Sequence, residues 1–288
     1  MPRKKTIIGI GEALLAELPD RTEPAGLAAL IAINAARMGH EGAAISRLGQ
    51  DATASDLLGQ LDAGGIDTSH LQSDPDLATG RLLVRPLGAT VKRSIDRWAA
   101  FDNLQWDFDL SDVAQGADAV VFGALAQRSS QTWSTTQRFL SECRGALRLM
   151  NLLNRPDDEL DRAAVMSALN LSDAATLDEA AMHSVLPTAC DAPAREKALQ
   201  LMRESGLAFV VLLEEDGRPA VHTAESETQG TGTVNIAVDG ALEAGIVGFL
   251  HGVLAGWGFA KALDLAARVA QHTAECGMEP IPDQWLTG

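Results

Sequence analysis

Tyrosine is absent from the 288-residue chain, and the remaining aromatics, 7 Phe and 5 Trp, make up only 4% of it. Sites built from stacked rings have little material to draw on, so the core must rest on Ala, Leu, Val and Ile. Cysteine is scarce as well. Cys143, Cys190 and Cys276 are odd in number, widely spaced and without a C-x-x-C pair, which excludes a disulfide framework and a thiolate zinc site. A reducing cytoplasm is the expected setting. Basic residues are few, 23 Lys plus Arg against 39 Asp plus Glu, for a net charge of −16. Such a surface repels phosphate backbones and anionic leaflets, which argues against nucleic-acid and membrane partners. The longest apolar stretch, residues 244–260, contains His251 and five glycines. It falls short of the roughly 20 residues of a membrane span and reads as a buried helix. The basic start, Met1-Pro2-Arg3-Lys4-Lys5, leads only into a short strand-like run, too short for a signal-peptide core. There is no Walker A sequence, no G-x-S-x-G elbow and no internal repeat.

What is present is a large apolar fraction, 46%, too high for disorder. A chain of this length can share one core, and a single domain over residues 1–288 is expected. Residues 6–10 read as a buried strand ending at Gly11, and 27–38 have helical spacing that stops at Gly39. Residues 43–48 predict a strand, and 52–63 an amphipathic helix closed by Gly64-Gly65. Two strands, 81–85 and 91–95, flank a turn at Pro86-Leu87-Gly88. Strands at 119–122, 147–152 and 208–213 alternate with helices at 130–141, 158–168 and 196–205. One Gly- and Ala-rich helical stretch runs from about Leu242 to Gly277. Buried strands alternating with helices predict an α/β fold with a mostly parallel sheet. The pair near 81–95 breaks that alternation and predicts a small separate sheet.

Few local motifs carry chemistry. Gly9-Ile10-Gly11 follows a strand, but Leu14 stands where a dinucleotide fingerprint has its third glycine, and Glu12 would face the pyrophosphate. A plain strand-to-loop turn is the better reading. His40, His70, His183, His222, His251 and His272 are scattered without metal-ligand spacing. The segment Val238-Asp239-Gly240-Ala241-Leu242-Glu243-Ala244-Gly245 opens the apolar helix. Small residues at a helix start let backbone N–H groups approach an anion, and a first-turn carboxylate could act as a base. The same residues also read as capping, with Asp239 the N-cap and Glu243 favourable to the helix dipole.

Taken in order, several segments resemble the PfkB, or ribokinase-like, carbohydrate kinases, closest to fructokinases and 2-keto-3-deoxygluconate kinases. Ile8-Gly9-Ile10-Gly11-Glu12-Ala13-Leu14 is similar to their first strand and G-E-x-L turn. Ser46-Arg47-Leu48-Gly49-Gln50-Asp51 resembles their S-R-L-G-x-D segment, and Gly65-Ile66-Asp67-Thr68-Ser69 their G-V-D-T-S. Ala78-Thr79-Gly80 resembles the entry to the lid strands, and Arg97-Trp98-Ala99-Ala100-Phe101-Asp102 the return from them. Gly248-Phe249-Leu250-His251-Gly252 stands where the family has A-G-F-L-x-G, and Gly277-Met278 with Pro280-Ile281-Pro282 resembles the closing G-A…P. The resemblance implies a three-layer α/β/α domain with a mostly parallel central sheet and a small β lid. The lid would take in about 78–100, with part of 12–26, and make a homodimer contact. It also implies phosphoryl transfer from ATP to a sugar hydroxyl with Mg²⁺.

The departures fall where that chemistry would be. The family signature D-T-x-G-A-G-D supplies an anion hole and a final Asp base. Anchored on Gly248–Gly252, it matches Gly240-Ala241-Leu242-Glu243, so Glu243 becomes the expected base and Gly240, Ala241 and Leu242 the anion hole. The sugar-binding Asp of the first loop falls at Ala16, and the sugar-binding Asn at Leu30. A D-x-N-x-R segment is kept in part as Asn151, Leu153 and Arg155, which makes Asn151 and Arg155 the expected substrate residues. The N-x-x-E metal and phosphate motif becomes Thr176-Leu177-Asp178-Glu179, and the T-L-G-x-x-G nucleotide turn becomes Leu212-Leu213-Glu214-Glu215-Asp216-Gly217. Glu179 and Gly217 are the expected nucleotide residues, with Glu214, Glu215 and Asp216 an electrostatic obstacle to ATP. No dedicated protein metal site is expected. Two functions follow from the resemblance: an ATP-dependent sugar kinase with a divergent site, or a non-catalytic kinase-fold protein binding a metabolite or protein partner.

Overall fold

Ile7, Ile8 and Ile10 are fully buried in strand β1 (Thr6–Ile10), as the β-branched run requires. The computed structural model describes residues 3–87, 90–153, 162–187, 192–234 and 240–287. After β1 come a hairpin, β2 (Leu14–Glu17) and β3 (Thr22–Ala25), then α1 (Leu27–Arg37), β4 (Glu41–Gly49), α2 (Ala52–Ala63) and β5 (Leu71–Asp74). A second hairpin, β6 (Arg81–Leu87) and β7 (Thr90–Ile95), precedes α3 (Asp109–Gly116), β8 (Ala119–Gly123), α4 (Ser130–Glu142) and β9 (Leu147–Asn151). The chain continues through α5 (Arg162–Leu169), β10 (Ala174–Asp178), α6 (Glu179–Val185), α7 (Ala194–Ser205), β11 (Phe209–Leu213), β12 (Pro219–Thr223) and β13 (Glu227–Gln229). It closes with α8 (Ala241–Leu254) and α9 (Phe259–Cys276).

Among the described residues the main sheet has the order β13-β12-β11-β10-β9-β8-β1-β4-β5. It is parallel from β11 to β5, and β12 and β13 add an antiparallel edge. Side chains alternate across a strand, so Ile7 and Ile8 serve opposite cores. Ile8 and Ile10 pack with Phe122, Phe139, Met182 and Leu201 beneath α3 to α7. Ile7 packs with Ile31, Val121, Val247 and Val269 beneath α1, α8 and α9. The result is the three-layer α/β/α arrangement. The chain leaves β1 toward β4 and β5 on one side and later fills β8 to β11 on the other. The carboxyl ends of β1 and β8 therefore flank the topological switch point, where open α/β sheets leave a crevice.

The second sheet has the order β3-β2-β6-β7, with β2 parallel to β6. One of its faces carries Leu14, Ala16, Leu82 and Ile95, which pack on Phe101 and Leu125. The long C-terminal helical stretch is a correction: it is two helices. Gly256 adopts φ 77 and Gly258 is the N-cap of α9, so the backbone reverses between Leu254 and Phe259. The glycines of α8 are explained by the helix it packs against. A Cβ on Gly252 would lie 2.9 Å from the Ala262 Cα, and one on Gly248 3.1 Å from the Ala266 Cα. Among the described residues no helix is long and apolar enough to cross a membrane.

Candidate functional site

The segments that join the small sheet to the main one are held by polar side chains. Ser46 accepts from the Ala13 N–H at 3.0 Å and donates to the Gly11 carbonyl at 2.7 Å. Asp51 caps α2 by accepting from the Ala54 N–H, and its other oxygen accepts from the Thr79 N–H at 2.8 Å. The Thr79 hydroxyl accepts from the Gly49 N–H. Asp74, 1% exposed, accepts from Arg47 Nε, Asn103 Nδ2 and the N–H groups of Asp76 and Leu77. Burial raises its carboxyl, but these hydrogen bonds outweigh burial and hold it at about 2. Beyond β7, Arg128 grips Asp102 with Nε and Nη2, both at 2.6 Å, and Nη2 also donates to the Asp96 carbonyl. Asp102 in turn accepts from the Ala99 N–H. Held at both ends, the bend between Asp96 and Ala99 forces Trp98 to φ 57, the one non-glycine at positive φ among the described residues.

The start of α8 is built differently. Gly240, at φ 79, is its N-cap, so the expectation that Asp239 is the N-cap is corrected; Asp239 itself lies outside the described residues. Ala241, Leu242 and Glu243 follow in the first turn, and all three are buried. Their N–H groups have no carbonyl four residues back within the helix, and the helix dipole favours an anion there. The positions flanking this turn are apolar. A Cβ on Gly240 would lie 3.0 Å from Met278 Cε and 3.9 Å from Leu30 Cδ2. Met278 is 43% exposed, so it lies over the turn from the surface. It is held there by Arg37, whose guanidinium donates to the carbonyls of Gly277 and Glu279, to the Thr273 hydroxyl and to Asn34 Oδ1.

The expected nucleotide residues are engaged with their own neighbours. Glu179 begins α6, and its carboxylate pairs with Lys197, a lysine of α7 only 5% exposed; His183 stands 3.8 Å away. Gly217 has φ 81 within a tight turn, where its N–H donates to the Glu214 carbonyl. Of the acids of that turn, Glu214 and Asp216 have neighbours as partners and Glu215 is exposed. Arg218 pairs with Asp216 at 2.6 Å and faces Glu214 at 3.8 Å, and Gln229 donates to Glu214. Asn151 is buried at the end of β9, where its Oδ1 accepts from the Thr176 hydroxyl and the Leu153 N–H. Arg155 lies outside the described residues. Between these strand ends and α8 lies a cavity of about 40 Å³, lined by Leu213, Leu242, Ile246, Phe249, Thr176 and others, and its lining is apolar.

A family model described as pfkB family carbohydrate kinase matches residues 19–279. The chain belongs to that family. Its architecture matches solved structures of sugar kinases. A fructokinase with bound ATP from Xylella fastidiosa is 19% identical with a TM-score of 0.82, over 99% of this chain and 97% of that one. A PfkB protein from Polaromonas sp. JS666 is 19% identical with a TM-score of 0.80, over 96% and 97%. A fructokinase from Vibrio cholerae O395, in a fructose, ADP and calcium ion bound form, is 19% identical with a TM-score of 0.78, over 97% and 96%. A search of curated proteins finds no match.

Within the pfkB frame, the family-like motifs at Ser46, Asp51, Thr79 and Gly80 carry structural bonds and contacts. Four residues that bear on the α8 start and the nucleotide side escaped sequence reasoning: Arg37, Lys197, Arg218 and Met278. Only Met278 had a local signal, as the bulkier residue in place of the alanine of the closing G-A. The start of α8 presents first-turn N–H groups after a glycine turn, the kind of donor set a phosphoryl group requires. A divalent cation does not fit at Glu179, which Lys197 occupies, and among the described residues no group of three or more His, Cys, Asp or Glu could hold a metal.

Proposed function

We propose that this chain is a carbohydrate kinase with a divergent phosphoryl-transfer site at the start of α8. Glu243 would take the proton of the attacking sugar hydroxyl as that oxygen bonds to phosphorus. The N–H groups of the Gly240–Leu242 turn would receive the developing charge on the transferred group. ATP would supply the phosphoryl group, and Gly217 would border its phosphates. Among the described residues Mg²⁺ finds no carboxylate cluster, and it would be held by the nucleotide's own phosphates. The observation that carries the reading is the buried first-turn carboxylate of Glu243, three residues after the left-handed Gly240. Glutamate is one methylene longer than the family's aspartate, and a misplacement of about 1 Å can cost about a hundredfold in rate. Slow turnover is expected. Fructose is the first acceptor to try, because the Vibrio cholerae structure is described with fructose bound. Asn151 and Arg155 are the substrate residues carried over from the family pattern, and Asn151 reaches that role only through its amide nitrogen, since its oxygen is used.

A second reading, a non-catalytic kinase fold that binds a metabolite or protein, is favoured by Met278 and Leu30 lying against Gly240. Calorimetry with Mg-ATP separates the two. Binding at millimolar nucleotide or below supports the kinase, and none removes it. A cytoplasmic homodimer, joined through the small sheet, completes the proposal. The edge strand β7 carries Lys92 and Arg93, which discourages edge pairing, so the contact would use the sheet's face. A monomer by light scattering at micromolar concentration would refute the dimer.

A further inference from the structure

Two buried histidines meet at the opposite end of α8 from the proposed transfer site. His40, 8% exposed, joins α1 to β4, and His251, 3% exposed, stands in the last turn of α8. His40 Nε2 lies 2.9 Å from His251 Nδ1, with the ring centroids 5.0 Å apart. The chain of hydrogen bonds continues in both directions. The Lys5 N–H reaches His40 Nδ1 at 3.3 Å, and His251 Nε2 lies 3.2 Å from the Leu286 carbonyl. The two ends fix every proton between them. A backbone N–H can only donate, so His40 Nδ1 accepts and the ring proton sits on Nε2. That proton is donated to His251 Nδ1, which leaves the His251 proton on Nε2, facing a carbonyl that can only accept. Both rings are neutral and both lone pairs are in use. A further proton has no place on the pair unless a bond of the chain breaks.

The last bond of the chain holds a turn. Residues 283–285 form a single 3-10 turn, and Trp285 and Leu286 pack on the core beneath α8 and α9. The charged surroundings oppose a proton on the pair. Burial pushes His40 down to about 4 from the ordinary 6.5, with His251, Lys5 and Lys4 acting in the same direction and Asp118 against them. Asp118 is already spent on Lys5 Nζ and the Thr6 N–H, and Glu41, at the start of β4, on Lys4 and the Thr6 hydroxyl. Burial lowers His251 as well, against the pull of the Leu286 carbonyl. From α9 come Lys261, over the Trp257 ring that packs on His251, and Arg268, over the Trp285 ring. The dipole of α8 favours a cation at its last turn, but the His251 lone pair points at His40 and not at solvent.

We propose that the His40–His251 pair is a proton-sensitive latch, which holds the 283–286 turn against α8 while neutral and releases it on taking up a proton. A proton arriving on His251 Nδ1 ends the bond to His40. The ring then leaves its place, and its bond to the Leu286 carbonyl goes with it. Once free, the ring titrates at its ordinary value, and while latched only below it. The latch is therefore closed above about pH 6.5 and opens as pH falls from about 6.5 toward 4. Arg37 still holds the carbonyls of Gly277 and Glu279, so Met278 stays over the start of α8 and the latch acts on the closing turn alone. The proposal is independent of the sugar-kinase reading.

Hydrogen exchange of the full chain at about pH 7.5 and about pH 5, corrected for the intrinsic rate at each pH, tests it. The reporters are the N–H groups of Trp285 and Leu286, which donate to the carbonyls of Pro282 and Asp283. Their protection should fall about tenfold or more at the lower pH while that of β8 stays in place. His251→Phe fills the place of the ring but can neither bond nor titrate, so it should show the low protection at both pH values. His272 also donates to this segment, at the Pro280 carbonyl, and His272→Phe should keep the pH dependence. Protection that does not change with pH overturns the proposal. So does a loss shared equally by β8, the mark of general unfolding, and so does a pH dependence that survives in His251→Phe or vanishes in His272→Phe. If His251→Phe does not fold, NMR of the ring nitrogens in the wild-type chain at about pH 7.5 decides. Both His40 and His251 should carry their proton on Nε2, and a proton on Nδ1 of either removes the latch.

Discussion

The joint between the two sheets and the start of α8 both carry segments that resemble family motifs, yet they are made of different material. At the joint, Ser46, Asp51, Asp74, Thr79 and Asp102 spend nearly every oxygen on a neighbouring N–H or guanidinium. At the start of α8, the side chains nearest a Cβ on Gly240 are those of Met278 and Leu30, and Leu242 is buried in the first turn; none of the three can hydrogen-bond through its hydrocarbon. A joint that must hold a hairpin at a fixed angle needs directional hydrogen bonds. A phosphoryl site needs polar groups that are free until the ligand arrives, and these are what aliphatic replacements remove. The fold shared with solved sugar kinases is intact among the described residues, and the proposal places the chemistry at Glu243 and the backbone of its turn.

The comparison is broken most sharply at Asp74. Asp74→Ala leaves Arg47, Asn103 and two backbone N–H groups without their acceptor and should cost about 3 kcal/mol or more, read from the urea midpoint. An effect below about 1 kcal/mol would show that the joint does not hold the fold. Acid titration probes the same residue. Its folded carboxyl, at about 2, lies below the ordinary 3.8, so the unfolded chain binds the proton first. The contribution, about 2 kcal/mol, is complete above pH 4 and is lost as pH falls from about 4 to 2. Asp74→Asn should flatten that arm of the stability curve. Asp51→Ala removes the cap of α2 and the acceptor for Thr79, for about 1–2 kcal/mol by thermal unfolding.

Much of the main sheet was legible because buried parallel strands are continuous apolar runs. Thr6–Ile10, Ala119–Gly123 and Phe209–Leu213 stand out in a chain with few other β-branched clusters. The four-residue strands β2, β3 and β5 escaped, because so short a segment shows no period and their pairing is decided by distant residues. The break at Gly256 escaped because glycines packed against α9 look the same in sequence as glycines that end a helix. At the site, the lost family residues were visible one by one. The partners of the site residues were not: Lys197 on Glu179, Arg218 on Asp216 and Met278 near Gly240 join segments from 2 to 38 residues apart in the chain.

The smallest effect on stability sharpens the other half of the comparison. Met278 is half-exposed, so Met278→Ala should change stability by less than about 1 kcal/mol while raising affinity for inorganic phosphate or ATP several-fold. A large loss of stability with no gain in affinity would make Met278 part of the core rather than a cover on the turn.

The most direct measurement is ADP release from Mg-ATP in the presence and absence of fructose, for the wild-type chain and for Glu243→Gln. The account predicts slow, fructose-dependent release that falls about a hundredfold or more in the variant while its unfolding midpoint stays in place. Release that is undiminished in Glu243→Gln, or a wild-type chain that binds no Mg-ATP at millimolar concentration, would contradict it.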